Sequence, residues 1–329
     1  MKVLNLVNQE KSDIKYQIQR FPDGQQQVVI DLNFIIGYKV LTVDSEINHP
    51  LSKIGPRWKI PIEIKARLNN FLDLELITCA VASLRELGVE EIHLYTPYIM
   101  GARSDRKFEE GGNNYIKDVL APAINSLNFK TVTCIDPHSD VLEACIKGFR
   151  KQSTDFLIRW GIAQTWKGET KDMQSIINNC ILVSPDAGAS KKIYKLTEQI
   201  GYKGDIITCS KDRDKEGKLT KTIVPLTQDD GSGYTMEYKD NCNEKDFIII
   251  DDICDGGATF INIAKSIKEQ ISDYKGKIYL IVTHGIFSKG FEELNKYFDG
   301  IYCTNSYKDI GDYNGNDLIK TNTKPLNVF

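Results

Sequence analysis

The run FIIIDDICDGGATF, residues 247 to 260, sets three aspartates, two glycines and a threonine beside a greasy stretch. Phe247–Ile250 reads as a buried strand, so Asp251 and Asp252 are expected to leave it at its C-terminal edge, where open parallel sheets bind ligands. Cys254 through Thr259 then turn into a helix expected to start near Phe260. Gly256 and Gly257 let backbone N–H groups point inward together, and the helix N-terminus adds positive potential, so the turn suits a phosphate. Carboxylates do not bind phosphate directly. They suit ribose hydroxyls, or Mg²⁺ held through water, because hard cations take oxygen ligands. A phosphate cradle with adjacent acids describes a phosphorylated sugar. A plain strand–turn–helix with Asp255 or Thr259 as N-cap is the simpler alternative, but it leaves the paired acids unexplained. The run is not a Walker loop, since no GK[ST] follows, and it is not the dinucleotide GxGxxG.

The elements that must position these residues are legible as alternating strand-like and helical stretches. KVLNLV, QVVIDL, KVLTVD, EIHLYTP, KTVTCID, CILVSPD, DIITCS, DFIIIDD and KIYLIVTH read as strands. Between residues 71 and 88, Leu72, Leu76, Ile77, Ala80, Leu84 and Leu87 share a helical face and Gly88 is a natural C-terminal stop. Phe260, Ile263, Ala264, Ile267 and Ile271 do the same in the stretch after the glycines. Strands apolar on both faces, alternating with helices, indicate an α/β chain with mostly parallel sheets covered on both sides. The series occurs twice, which predicts two tandem domains, 1–160 and 161–329. Segments 46–70 and 210–241 read as irregular; the second is highly charged and is either a disordered excursion or a flap over a site.

Composition narrows the function classes. The 329 residues carry 42 Lys and Arg against 45 Asp and Glu, a net charge of −3, so nucleic-acid binding driven by overall basicity is not expected. The eight cysteines show no CxxC pair, which reads as reduced thiols in a cytoplasmic setting. The N-terminus lacks a signal-peptide pattern, and no apolar run approaches the roughly 20 residues that span a bilayer.

At this point the residues resemble a known family. IIIDDICDGGAT looks like the ribose-5-phosphate loop shared by type I phosphoribosyltransferases and ribose-phosphate pyrophosphokinases. Further segments, in order, favour the pyrophosphokinases: RFPDGQ (20–25) resembles F-S-D-G-E, PYIMGARSDRK (97–107) resembles P-Y-x-x-Y-A-R-Q-D-R, and IDPHSD (135–140) resembles D-x-H. VSPDAGAS (183–190) is similar to V-S-P-D-x-G-G, and VTHGIFSKG (282–290) to T-H-P-x-x-S-G. The resemblance covers about residues 20 to 305 and implies two tandem phosphoribosyltransferase-like domains. It also implies an ATP-dependent, Mg²⁺-requiring transfer of the β,γ-diphosphate of ATP to the C1 hydroxyl of ribose 5-phosphate.

Residue by residue, the resemblance assigns Phe21 to stack on adenine and Asp23 and Gln25 to its polar edge, contributed by a neighbouring subunit of a homo-oligomer built from dimers. Arg103, Ser104 and Lys107 fall on the ATP-phosphate segment. His138 and Asp186 match metal-binding positions, and His138 also belongs to the ATP site. A lone histidine is more often a packing or surface residue, but this one follows a strand and is flanked by Asp136 and Asp140. Lys211 and Arg213 of SKDR match the catalytic pair of a mobile loop that opens K-R-R. Asp251, Asp252, Cys254, Asp255, Gly256, Gly257, Ala258 and Thr259 form the ribose-phosphate loop.

Departures from the pattern cluster at the acceptor and subunit-contact regions. Gln25 replaces an acid and Ser104 a glutamine. The sugar loop reads D-T-G-G-T in the family, and here Gly256 stands for its first threonine and Ala258 for its second glycine. Losing that hydroxyl opens space beside the 5-phosphate, which admits a second acceptor, ADP-ribose, in a reaction serving NAD salvage. A phosphoribosyltransferase would use the product rather than make it and has no need of the adenine-loop and SKDR features. A non-catalytic regulatory relative tends to lose the loop lysine, whereas Lys211 is present.

Overall fold

The computed structural model describes residues 1–31, 60–165, 180–213, 219–229, 235–237, 242–271, 273–309 and 324–329. The KVLTVD strand and most of segment 46–70 lie outside the described residues. Two compact units are present, Met1–Gln152 with Phe329, and Ser153–Val328.

In the first unit, β1 (Lys2–Asn5), β4 (Ile62–Lys65), β5 (Ile92–Tyr95), β6 (Thr131–Ile135) and β7 (Phe149–Gln152) form a sheet in that order, every neighbouring pair parallel. Two sequence expectations change. The segment read as irregular contains β4, whose short IEIK alternation supplies a buried strand next to β1. QVVIDL does not join the parallel sheet; β3 (Gln26–Ile30) pairs antiparallel with β2 (Tyr16–Arg20) as a separate hairpin. In β3, exposed Gln27 and Val29 alternate with buried Val28 and Ile30, the pattern of a strand with one wet face.

Helix α1 (Phe71–Glu86) begins with a capping box, in which the Asn70 side chain accepts from the Leu72 and Asp73 N–H groups and Asp73 answers to the Asn70 N–H. Its buried stripe is Leu74, Ile77, Ala80, Val81 and Leu84. Leu72, expected on that face, stands in the first turn and is 62% exposed. Gly88, at φ 84°, follows the helix end. The helix carries the hairpin: Ser83 Oγ donates to the Val28 carbonyl at 2.7 Å.

The second unit has a six-stranded sheet in the order β17 (Lys324–Leu326), β16 (Gly300–Thr304), β15 (Ile278–Gly285), β14 (Asp246–Cys254), β8 (Cys180–Ser184), β9 (Ile206–Thr208). All neighbours are parallel. Its central strands are buried end to end, and their alternating residues feed two cores. Ile181, Val183, Phe247, Ile249 and Leu280 pack with Phe260, Ile263, Ala264 and Ile267 of α6 (Ala258–Gln270). Leu182, Ile248, Ile250 and Ile281 pack with Leu157, Ile158 and Ile162 of α4 (Asp155–Thr165) and with Ile193, Leu196 and Ile200 of α5 (Ala187–Ile200). The sheet is therefore covered on both faces, as the apolar runs require.

No disulfide links the eight cysteines. Among the described residues no helix is long and apolar enough to cross a membrane.

Phe247 is fully buried and its ring meets Tyr274 at 5.7 Å between centroids. Phe247→Ala is expected to destabilise the second unit by about 3–5 kcal/mol, read from urea denaturation followed by tryptophan fluorescence and circular dichroism.

Candidate active site

The chain leaves β8, places β9 on one side of it, and returns to lay β14 on the other, so the order reverses between β8 and β14. The crevice beyond the carboxyl ends of such strands is the ligand site of open α/β sheets. Here those ends carry acids. Asp186 follows β8 and is the N-cap of α5, its Oδ1 accepting the Ala189 N–H at 2.9 Å. The Ser184 hydroxyl donates to the Asp186 carbonyl at 2.7 Å and holds the turn.

Asp251 and Asp252 do not leave the sheet as expected. β14 continues to Cys254, with Asp251 opposite Val282 and Cys254 opposite Gly285. The reason is β15, whose eight buried residues supply main-chain partners past the end of the apolar run. Both carboxylates are thereby held on rigid strand. Asp252 is buried, and its Oδ2 receives Lys192 Nζ from α5 at 3.1 Å. The Asp252 N–H donates to Asp251 Oδ1 at 2.9 Å. Burial first, then the negative charge of Asp252, pushes the Asp251 carboxyl well above the usual carboxylate range, with Asp186 adding to the rise. The surplus negative potential is what a hard cation or a set of hydroxyl donors would relieve.

The turn after β14 differs from expectation at its cap. Gly257, at φ 78°, is the N-cap of α6, and no side chain caps the helix, so neither Asp255 nor Thr259 takes that role. The helix starts at Ala258, two residues earlier than expected. Its first main-chain bond is Ile261 N–H to the Gly257 carbonyl. The earlier N–H groups of an α-helix have no internal partner, and here no capping side chain meets them, so they are open to an anion. Glycine is needed at 257 on two counts: the left-handed backbone, and a Cβ that would lie 2.9 Å from Leu294 Cδ2. Cys254, assigned to the ribose-phosphate loop, is fully buried. Its carbonyl accepts the N–H groups of Ile286 and Phe287, at 2.9 and 3.2 Å, which fastens the loop after β15 to the start of the turn. That loop brings Lys289 over Gly256: a Cβ built there would lie 3.4 Å from Lys289 Cδ and Cε.

Lys192 and Lys289 were missed by sequence reasoning. Lys192 carried no local signal, its partner being 60 residues away. Lys289 sits inside the VTHGIFSKG segment and marks the place where that segment departs from S-G, which was the signal available.

The other expected site residues lie on the first unit or on the charged segment. Phe21, Asp23 and Gln25 occupy the β2–β3 turn, where Phe21 N–H bonds to the Gln25 carbonyl and Asp23 Oδ1 accepts the Gln25 N–H. Phe21 is 46% exposed, so it does not serve as local packing. Arg103, Ser104 and Lys107 are in the loop after β5, and His138 is exposed in the loop after β6. The two loops leave adjacent strands at one edge, joined by the Ile135 N–H bond to the Pro97 carbonyl at 3.0 Å. Asp136, two residues before His138, is buried at φ 42°, a left-handed conformation rare outside glycine. Lys211 and Arg213 lie in β10 (Ser210–Arg213), which pairs antiparallel with β11 (Leu219–Ile223), Lys211 opposite Thr222. The described parts of segment 210–241 include two β-ribbons, β10 with β11 and Thr227–Asp229 with Thr235–Glu237; residues 214–218, 230–234 and 238–241 are outside the described residues. Among the described residues no group of three or more His, Cys, Asp or Glu is arranged to hold a metal ion.

No protein-family model matches the sequence. The ribose-phosphate pyrophosphokinase of Sulfurisphaera tokodaii is 23% identical over 312 residues, covering 95% of this chain and 85% of that protein. That of Thermosipho africanus is 24% identical over 292 residues, covering 88% and 77%, and that of Mycoplasmopsis pulmonis 27% over 240 residues, covering 72% and 65%. This chain is a divergent relative of the ribose-phosphate pyrophosphokinases. Its fold is that of phosphoribosylpyrophosphate synthetase from Mycobacterium smegmatis, at a TM-score of 0.69 and 14% identity, over 97% of this chain and 88% of that one.

The folded-state pKa of Asp251 lies above its unfolded value, so the folded chain binds the extra proton between the two and stability falls as pH rises through that interval. Asp251→Asn is expected to be more stable than the parent at pH 7, with the gap closing as pH falls toward about 4, the ordinary carboxylate value. Denaturation midpoints across that range check it; an asparagine variant less stable at pH 7 contradicts the assignment.

Proposed function

We propose that this protein is a pyrophosphokinase acting on a ribose 5-phosphate acceptor. The acceptor's C1 oxygen attacks the β-phosphorus of ATP, the bond from that phosphorus to the α,β-bridging oxygen breaks, and AMP leaves with that oxygen. The C1 hydroxyl proton passes to solvent, and the product is 5-phosphoribosyl 1-diphosphate. The carrying observation is the strand-order reversal between β8 and β14, with Asp186, Asp251, Asp252 and an uncapped glycine turn at its mouth. The likeness to ribose-phosphate pyrophosphokinases over most of the chain supports the same reading.

In this reading, the N–H groups at Ala258 and Thr259, with Asp255, Gly256 and Gly257 shaping the turn, hold the acceptor's 5-phosphate. Asp251 and Asp252 take its ribose hydroxyls. Cys254 contributes through its main chain, since its thiol is buried. Phe21, Asp23 and Gln25 are assigned to adenine, and Arg103, Ser104, Lys107 and His138 to the rest of ATP. Lys211 and Arg213 steady the transferred phosphates, where charge spreads over oxygens in the transition state.

Mg²⁺ fits the acids present. The raised Asp251 carboxyl beside Asp252 and Asp186 marks an oxygen-rich negative pocket, and Mg²⁺ is commonly held by one or two carboxylates with substrate phosphates, without a three-donor protein cage. His138 and Asp186 are its assigned ligands, each at the C-terminal edge of its own sheet. When bound, Mg²⁺ neutralises charge on the phosphates of ATP. The assembly assigned is a homo-oligomer built from dimers, in which the exposed Phe21 meets its nucleotide from a neighbouring copy.

A second acceptor is favoured by one observation: Gly256 carries no side-chain donor, and the flexible Lys289 stem beside it can follow an esterified 5-phosphate such as that of ADP-ribose.

AMP release with ATP, Mg²⁺ and each acceptor tests the proposal. Turnover with ribose 5-phosphate is expected; turnover with ADP-ribose alone selects the second acceptor, and no AMP with either rejects the activity. Lys211→Ala is expected to lower kcat by about 100-fold or more while ATP affinity changes little. A variant that keeps full turnover removes Lys211 from the reaction.

A further inference from the structure

Lys289 stands against the glycine turn itself. Its loop is fastened to the turn by two main-chain bonds to the Cys254 carbonyl, from Ile286 and Phe287. Gly290 N–H closes the loop on the Phe287 carbonyl at 2.9 Å. Buried Phe287 and Phe291, ring centroids 4.6 Å apart, anchor its two ends in the core beneath α6. The side chain is exposed, yet its stem lies across Gly256 at van der Waals distance from where a β-carbon would project. The stem lies on the side of the turn that a side chain at 256 would otherwise occupy.

We infer that Lys289 is an acceptor-binding residue that substitutes for a side-chain donor at position 256 and pairs with the phosphoryl group held by the turn. The inference rests on the proposed acceptor site. Its chemistry differs from a hydroxyl's in three ways. A lysine is a flexible point charge with three donors, so it follows a phosphate that is a free monoester or part of a diphosphate. Its attraction is screened by salt because the ammonium is exposed. And it competes for space with a side chain larger than alanine at 256: Gly256 lies outside the left-handed region, and a Cβ there would already touch the lysine stem, so atoms beyond it press on that stem.

This predicts a specific coupling between two residues that are 33 positions apart in sequence (289 less 256). Lys289→Met keeps the stem and removes the charge. It is expected to raise the acceptor KM about tenfold, the loss typical of one charge-assisted bond, with kcat and the ATP KM within about twofold. Gly256→Thr alone is expected to weaken acceptor binding by displacing the lysine, whereas in the Lys289→Met background it should recover part of the lost affinity. The assay is run with ribose 5-phosphate and with ADP-ribose at two salt concentrations, and the salt dependence of the acceptor KM should be weaker in Lys289→Met. An unchanged acceptor KM, or a change confined to ATP, overturns the inference while leaving the proposed activity standing. If neither acceptor is turned over by the parent enzyme, the proposed activity fails. Titration calorimetry with inorganic phosphate then decides the inference separately: weaker binding by Lys289→Met upholds it, and equal binding rejects it.

Discussion

Three carboxylates share the mouth of the second unit's sheet, and two of them are consecutive on a strand interior. Like charges in a poorly solvated place raise each other's proton affinity, and Asp251 shows the effect. Lys192 offsets part of the cost through Asp252, and the Asp252 N–H offsets a little more. Both aspartates belong to β14, whose pairing with β15 fixes the main chain that carries them. An arrangement of this kind is stable enough to fold yet poised to gain from hydroxyl donors or a cation.

The rest of the second unit serves that arrangement. β14 and β15 are buried along nearly their whole length and fix the position of the acids. Asp186 caps α5, and α5 in turn carries Lys192 back to Asp252. One acid thus positions the cation that balances another. Next to this negative cluster stands the uncapped start of α6, with positive potential of its own. Neighbouring negative and positive sites a few residues apart suit a ligand with hydroxyls at one end and phosphate at the other.

Much of this was legible in the sequence. Phe247–Ile250 could be read as a buried strand because it is apolar on both faces, and Phe260, Ile263, Ala264 and Ile267 because their spacing is helical. What failed was whatever depended on a distant partner. The strand's continuation to Cys254 depends on the length of β15, and the choice of Gly257 over Asp255 or Thr259 as cap depends on Leu294 and the backbone sign at 257. Ile62–Lys65 was hidden because four residues are too few to show a period. The antiparallel pairing of Gln26–Ile30 was hidden because alternation does not name a strand's neighbour. The Lys192–Asp252 and Lys289–Gly256 contacts are side-chain meetings across separate elements, and no local pattern announces those.

A crystal structure with ribose 5-phosphate, Mg²⁺ and a non-hydrolysable ATP analogue tests the central claim most directly. The account predicts the 5-phosphate within hydrogen-bonding distance of the Ala258 and Thr259 N–H groups and the ribose hydroxyls on Asp251 and Asp252. A sugar phosphate bound away from the turn after Cys254, with those N–H groups still facing water, would contradict it.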